Sequence, residues 1–270
     1  IYFTTKQSRL QNFSFEIYGG YAGLYDFGPM TCAIKSNVIN LWRRHFVLEE
    51  NMQELDLTCL TPEPVFKASG HVQRFADWMV KDETTGVCYR ADKLLAEFIE
   101  QELEKPTNSK EREELLKDTL QKLDSFDDKM LAAKFKELGV VSEAGNPLSA
   151  PYAFNLMFAT QIGPTGKITG YMRPETAQGI FVNFKRLLDF NGGQVPFACA
   201  TIGQAFRNEI APRSGLLRVR EFTLAEIEHF MNPAMAREDH PKLKKVLNVA
   251  CPLLSRELQS AGSMPNSITI

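Results

Sequence analysis

Near its C-terminal end the chain sets arginines, a phenylalanine and glutamates at alternate positions: Arg218, Arg220, Phe222, Leu224, Glu226 and Glu228. Side chains on a strand alternate between its faces, so in a strand these six share one face. On the preceding stretch Arg207 and Glu209 share a face with Cys199, Thr201, Gly203 and Ala205, four small residues that would leave room above a sheet. Paired side by side, the two strands form a polar floor graded from cationic to anionic. Guanidiniums take phosphate oxygens in forked geometry. A flat ring stacks on a purine, and carboxylates hold an ammonium group or a purine amino edge. ATP together with an amino acid would satisfy the whole set. Mixed Arg and Glu on one strand face are also what a solvated, salt-bridged surface carries, so these two strands alone leave both readings open.

Other catalytic signatures are missing. The glycines at 19, 20 and 23 do not spell G-x-G-x-x-G, and there is no phosphate loop, nucleophile elbow or H-E-x-x-H. ATP, if bound, would lie on a sheet rather than in a glycine-rich cradle. The five cysteines are scattered without a Cys-x-x-Cys pair and the four histidines lie far apart, so no zinc site is expected. Such thiols fit a reducing compartment, cytoplasmic or mitochondrial. A net charge of −2 requires any RNA contact to be a local basic patch. At 44% hydrophobic residues the composition is that of a globular protein, and no apolar run approaches the roughly 20 residues that cross a bilayer. The chain opens on Ile1 without a signal-peptide layout, as expected of a sequence that starts inside a longer protein.

The elements that must carry these residues are legible in outline. Residues 13–28 are rich in glycine and aromatics, which suggests close backbone packing or a binding loop rather than a regular element. Pro29 suits the first position of a helix reaching about Leu48, with Met30, Ile34, Val38, Leu41, Trp42 and Phe46 as its apolar stripe. A strand over Glu54–Leu60 ends at Thr-Pro-Glu-Pro. Lys93 to Glu137 is dense in Lys, Glu and Leu with Gly139 placed as a C-cap, which reads as a helical insertion or, equally, a solvated hairpin without a role. Tyr152–Gln161 alternates like a strand. Arg173-Pro174-Glu175-Thr176 opens a helix that buries Ala177, Ile180, Phe181, Phe184, Leu187 and Leu188. After the Gly192-Gly193 turn, Pro196–Glu209 and Leu217–Phe230 form an antiparallel pair joined by a loop. The fold class expected is α+β, an antiparallel sheet flanked by helices with a mainly helical insertion. The division expected is 1–92, 93–150 for the insertion, and 151–270.

Phe206-Arg207-Asn208-Glu209, a loop, and Arg220-Glu221-Phe222 closely resemble motif 2 of class II aminoacyl-tRNA synthetases. EIYGG at 16–20, AGLYDFGP at 22–29, LTPEP at 60–64, SGH at 69–71, YRAD at 89–92, YMRPETAQGIF at 171–181, FRNEIAPRSGL at 206–216 and RVREFTLAEIEHF at 218–230 look like the glycyl-tRNA synthetase family of eukaryotic and archaeal type. The resemblance runs to about residue 232 and is weak only over 100–145 and in the tail.

The resemblance implies a class II core and a glycine–tRNA ligase activity using ATP and Mg²⁺. Glycine carboxylate attacks the α-phosphate, glycyl-adenylate and pyrophosphate form, and the 3′ hydroxyl of tRNA(Gly) takes the glycyl group without a protein nucleophile. It implies Arg207 and Arg220 as catalytic, with Arg207 on the α-phosphate and Arg220 or Arg218 toward the distal phosphates. Asn208, Glu209, Leu217, Arg218, Val219, Glu221 and Phe222 would complete the ATP site, Glu209 near the adenine amino group and Phe222 stacked on the base. Arg90, Glu175, Phe222, Thr223, Leu224, Ala225 and Glu226 would form the glycine site, Glu175 and Glu226 at its ammonium end. The helix at 29–48 and the strand ending at Pro62 look like motif 1, which implies a homodimer interface; no membrane partner is implied. The third class II motif, G-x-G-x-x-R, and an anticodon-binding domain do not occur, and the sequence from about Asp239 matches nothing in the family. That departure keeps two other readings open, a catalytically inactive synthetase-like binding protein and a related adenylating ligase that uses no tRNA.

Overall fold

The computed structural model describes residues 11–105, 109–212, 215–234 and 243–269. In chain order, β1 (Gln11–Phe13) and β2 (Tyr25–Phe27) pair antiparallel around the glycine-rich segment, so residues 13–28 contain a regular element after all. Next come α1 (Pro29–Arg43), a turn of π-helix at Arg44–Glu49, β3 (Gln53–Leu55), β4 (Leu60–Pro62), α2 (Glu63–Ala68) and α3 (His71–Arg74). They are followed by β5 (Ala76–Lys81), β6 (Cys88–Arg90), α4 (Ala91–Leu103), α5 (Lys110–Lys122) and α6 (Asp128–Leu138). Then come β7 (Tyr152–Asn155), β8 (Phe158–Ile162), β9 (Ile168–Met172), α7 (Ala177–Val182) and α8 (Phe184–Phe190). The chain continues through β10 (Phe197–Phe206), β11 (Glu221–Phe230), β12 (Ala250–Leu253), α9 (Arg256–Ser260) and β13 (Asn266–Thr269).

The fold is mixed α+β, but the strands do not form one sheet. Among the described residues they make three-stranded sheets β11-β10-β3, β4-β9-β8 and β6-β5-β7, plus the pairs β1-β2 and β12-β13. Pairing is antiparallel except between β10 and β3, which run parallel. The strand expected over Glu54–Leu60 splits into β3 and β4 for an identifiable reason. The carbonyls of Leu57 and Thr58 accept from Arg173 Nη1 at 3.0 and 3.3 Å, and that of Cys59 accepts from the Arg173 backbone N–H at 3.0 Å. A buried side chain has taken hydrogen bonds that a neighbouring strand would otherwise make.

Two apolar clusters hold the layers together. Leu94, Leu95 and Ile99 recur at helical spacing on α4 and pack with Leu116 of α5, Leu131, Phe135 and Leu138 of α6, and Val80 of β5. The helices read as an insertion thus share one core with the sheet β6-β5-β7. Their ends are capped as the residue types require. Ser109 Oγ accepts from Arg112 N–H at 3.3 Å, Asp127 Oδ1 from Met130 N–H at 2.8 Å, and Gly139 closes α6 in the left-handed region at φ 68. The second cluster packs Ile180 and Leu187 against Phe197 and Cys199, on the odd-numbered face of β10. Phe181 and Phe184, expected in that buried face, stay 54% and 36% exposed, resting edgewise and tilted against Phe230. The stripe of α1 is uncovered: Met30, Ile34, Val38 and Leu41 are all more than half exposed.

Asp82 fastens the base of the helical segment. It is fully buried, and it accepts from Thr84 and Thr85 N–H (2.8 Å each), Ser142 Oγ (2.7 Å) and Asn146 Nδ2 (3.1 Å). Burial alone would raise its pKa, but the Thr85, Ser142, Asn146 and Thr84 donors outweigh burial and hold it well below the usual carboxylate range. A carboxyl whose pKa falls on folding adds stability above its unfolded value and loses it as pH drops toward the folded one. Asp82→Ala should therefore melt several degrees below the parent at pH 7, and the gap should narrow as pH falls below about 4. Thermal melts across that range test it; a gap that widens on acidification would contradict it.

Candidate active site

β10 and β11 pair antiparallel over ten residues, from Phe197↔Phe230 to Phe206↔Glu221. Cys199 lies opposite Glu228, Thr201 opposite Glu226, Gly203 opposite Leu224 and Ala205 opposite Phe222. Directly opposed residues share a face, so the small residues of β10 and the even positions of β11 stand together as their parity requires. β11 starts later than expected, at Glu221. Gly215–Leu217 forms a 3₁₀ turn, and Arg218, Val219 and Arg220 precede the strand; Arg213 and Ser214 of the loop lie outside the described residues.

The space above the small residues is occupied. Arg173, 4% exposed, lies across Gly203, where a methyl group would fall inside the van der Waals shell of its Nη2. Its Nε donates to the Gln204 carbonyl at 2.8 Å, and its own carbonyl accepts from Phe206 N–H at 2.8 Å. Arg173 thus sets the following three residues over the strand pair. Thr176 donates its N–H to Glu226 Oε2 at 3.1 Å and its hydroxyl to the same oxygen. Glu175 Oε1 lies 3.1 Å from His71 Nε2 and 2.6 Å from Gln178 Nε2. The Pro174 carbonyl accepts from Arg207 Nε at 3.1 Å.

Arg207 also stacks its guanidinium 5.5 Å from the Phe222 ring centre and 5.7 Å from Phe75, two cation–π contacts worth about 1 kcal/mol each. Farther along, burial and the nearby Glu226 and Glu175 raise the Glu228 carboxyl above its ordinary value. Burial, with the Glu228 charge, pushes the Cys199 thiol up to about 11, so it stays neutral near pH 7. One face therefore runs from a guanidinium held on an aromatic ring to a group of carboxylates.

Not every expected residue joins it. Arg220 donates Nε and Nη2 to the Glu209 carbonyl (3.0 and 2.7 Å) and Nη1 to the Ala22 carbonyl (2.6 Å), pinning the loop against the N-terminal segment. Arg90 is clamped by Asp92 through Nε and Nη2 (3.1 and 2.7 Å), and its Nη1 sits 3.2 Å from Asp77. Burial raises the Asp77 carboxyl against the pull of Arg90, with Arg218 pulling more weakly in the same sense. Asn208 is held by its backbone to the Leu156 carbonyl at 2.7 Å. Glu209 Oε2 is 3.9 Å from Nε of the half-exposed Arg218. Leu217 is 89% exposed. Glu221 and Thr223 bond Gln204 on the other face of the pair, where with Val219 and Ala225 they line a cleft of about 690 Å³ against α1.

No protein-family model matches the chain. It is 55% identical over 262 residues to a glycine–tRNA ligase of Drosophila melanogaster, covering 95% of this chain and 34% of the relative. To that of Caenorhabditis elegans it is 58% identical over 221 residues (82% and 30%), and to that of Bombyx mori 52% over 259 residues (95% and 35%). The chain belongs to the glycine–tRNA ligase family.

It spans about a third of the length of these relatives. Further ligases it resembles include one of Saccharomyces cerevisiae named as mitochondrial and one of Arabidopsis thaliana named as cytoplasmic. Among solved structures, the RNA binding domain of a threonyl-tRNA synthetase from Cryptosporidium parvum Iowa II aligns with 86% of this chain and 36% of its own, at TM-score 0.48 and 15% identity. Three features of the site escaped a reading by residue type. They are the Arg173–Gly203 contact, the Thr176–Glu226 clasp and the His71–Glu175 pair. The signal was present in RPET at 173–176 and SGH at 69–71, but nothing in the spacing says that these blocks meet.

The Arg173–Gly203 packing leaves no room for a Cβ. Gly203→Ala should cost about 2 kcal/mol by overpacking. Gly192→Ala, at a turn with open space and φ 67, should cost about 1 kcal/mol from backbone strain alone. Urea unfolding of both variants decides it, and a Gly203→Ala protein as stable as the parent would show that Arg173 can move aside.

Proposed function

We propose that the face of β10 and β11 carrying Arg207, Phe222 and Glu226, with Glu175 above it, is the adenylation site of a class II glycine–tRNA ligase. The observation that carries this reading is the joining of two separate sequence blocks at one site. The RPET segment clasps Glu226 through Thr176 and braces Arg207 through the Pro174 carbonyl. A cation at one end of the face and carboxylates at the other match an α-phosphate and an ammonium group joined through one reacting carboxylate.

In the first step a glycine carboxylate oxygen attacks the α-phosphorus, the bond to the bridging oxygen breaks, and pyrophosphate leaves with that electron pair. In the second, a terminal hydroxyl oxygen of tRNA(Gly) attacks the glycyl carbonyl carbon and gives up its proton to solvent, and the acyl–phosphate C–O bond breaks with its electron pair leaving on AMP. Catalysis is positioning and charge stabilisation, with Arg207 on the α-phosphate. Phe222 supports that guanidinium and offers its remaining surface to adenine. Arg218, half exposed, is the better of the two candidates for the distal phosphates, because Arg220 is committed to carbonyls. Arg220 then acts by fixing the loop that carries Glu209. Mg²⁺ would arrive as the counter-ion of ATP; among the described residues no group of three or more ligating side chains is gathered to hold a resident ion. Glu175 and Glu226 take the glycine ammonium, and Arg90 contributes through Asp77 and Asp92 rather than by direct contact.

The same reading gives α1 a purpose. Its exposed apolar stripe and the cleft behind it suit the face of a homodimer, in the part that resembles motif 1. Among the described residues no helix is long and apolar enough to cross a membrane. The relatives named cytoplasmic and mitochondrial support a cytoplasmic location, with a mitochondrial form as the alternative.

Glycine-dependent ATP–pyrophosphate exchange by the complete gene product, with alanine and serine as controls, tests the activity. Exchange with glycine alone supports it; none with any amino acid, from folded protein, sinks it. Arg207→Ala should lower kcat for exchange by about 10³-fold, as expected for loss of one transition-state donor, and near-normal exchange would remove Arg207 from the chemistry. Val38→Lys, on the exposed stripe, should shift the protein to monomer in sedimentation; an unchanged dimer would place the interface elsewhere.

A further inference from the structure

The SGH block at 69–71 has no part in the chemistry so far, yet it ends against Glu175. His71 Nε2 lies 3.1 Å from Glu175 Oε1, and His71 Nδ1 lies 2.9 Å from Ser69 Oγ. An ionised carboxylate only accepts, so the ring nitrogen facing it carries the proton. Ser69 Oγ holds the other ring nitrogen, at 2.9 Å from Nδ1, and also lies 3.4 Å from the Phe66 carbonyl. The ring plane is therefore held by a serine two residues away. The ring is wedged as well as bonded, with Phe66 5.6 Å from it and Phe75 5.5 Å. Asn155 Nδ2 donates to the His71 carbonyl at 3.3 Å, fixing the backbone. Gln178 Nε2 donates to the same Glu175 oxygen at 2.6 Å. Glu175 Oε2 has no hydrogen-bond partner among the described residues.

We propose that His71, oriented by Ser69, is a positioning residue of the amino-acid pocket: it fixes one oxygen of Glu175 so that the other is free for the substrate ammonium. The inference rests on the reading of Glu175 as an amino-acid ligand. A carboxylate bonded by Gln178 and faced by the His71 ring keeps one rotamer before substrate arrives, so less conformational freedom is lost on binding. Phe75 also links the two ends of the site, since it packs on His71 and on Arg207.

A purely structural role would be aromatic packing between Phe66 and Phe75, and two substitutions separate the alternatives. His71→Phe keeps a ring and removes the donor; His71→Gln keeps a donor and removes the ring. Pyrophosphate exchange by the complete gene product should show the glycine KM of His71→Phe rising about tenfold, the worth of one close charge-assisted contact. Its ATP KM should stay within about twofold of the parent, while His71→Gln should recover most of the glycine KM. Combining His71→Phe with Glu175→Ala should add nothing to the rise caused by Glu175→Ala alone, because the two act through one contact. A normal glycine KM for His71→Phe overturns the proposal, as does an equal rise in both KM values. If Glu175→Ala itself leaves the glycine KM unchanged, the assignment of the pocket fails first and this inference with it. Should His71→Phe not fold, Ser69→Ala decides, since it leaves ring and packing intact. A raised glycine KM with unchanged ATP KM supports the relay, and no change overturns it.

Discussion

The Arg173 guanidinium is a permanent cation, almost wholly buried, with no carboxylate partner among the described residues. Burying a charge unpaired is costly, and here hydrogen bonds to the backbone carbonyls of Leu57, Thr58 and Gln204 offset the loss of water. Those carbonyls belong to the link between β3 and β4 and to β10, segments far apart in the chain. Joining them to the RPET stretch fixes where Glu175 and Thr176 stand above the strand pair. Only a glycine at 203 lets the guanidinium lie that close to β10. The site's geometry is thus set from beneath, by a residue that need not touch a ligand.

This arrangement also explains what sequence reasoning reached and what it missed. Strand parity placed Phe222, Glu226 and Glu228 on one face with Cys199, Thr201 and Ala205, and the register agrees. Parity is a local property with a period of two residues, so it survives ignorance of the rest of the fold. The same reasoning took the small residues as open floor, because it has no way to know that an arginine from another segment fills the gap. It extended β11 back to Leu217, although the loop is instead held by Arg220 on the carbonyls of Glu209 and Ala22. Side-chain bonds to distant carbonyls leave no periodic trace. The stripe on α1 was legible as a stripe; whether it faces a core or a partner is not written in its spacing.

The two faces of the β10–β11 pair are unequal. One is filled by a polar network and by Ile180 and Leu187 beneath it. The other opens on a cleft of about 690 Å³, and the helix across it exposes large apolar residues. A stable specific interface buries about 800 Å² on each partner, and a helix that exposes Met30, Ile34, Val38 and Leu41 offers part of that from a single element. A partner seated on α1 would also brace the back of the strands whose front carries Arg207 and Glu226. In the proposed ligase, association and the geometry of the adenylation site would then share one sheet.

Two buried or half-buried carboxylates show how scaffold and site differ. Asp82 has more donors than burial can outweigh, so its charge is settled by the fold alone. Glu228 has the opposite problem: burial and the neighbouring carboxylates Glu226 and Glu175 raise it above its ordinary value. A carboxyl raised on folding weakens the fold once pH has risen past it, so the cluster stores unfavourable charge near neutrality. An arriving ammonium would relieve all three carboxylates at once. A fixed excess of negative charge attracts any small amine, so it cannot by itself choose glycine. In the proposed ligase, choice of the smallest amino acid would fall to the walls, where Thr176 is already clasped to Glu226 and Arg173 already lies over Gly203. Excluding a side chain from space that is filled is a stronger discriminator than the roughly 1–3 kcal/mol available from binding one more methylene. The buried scaffold, more than the charged groups themselves, would therefore set the specificity of the proposed site.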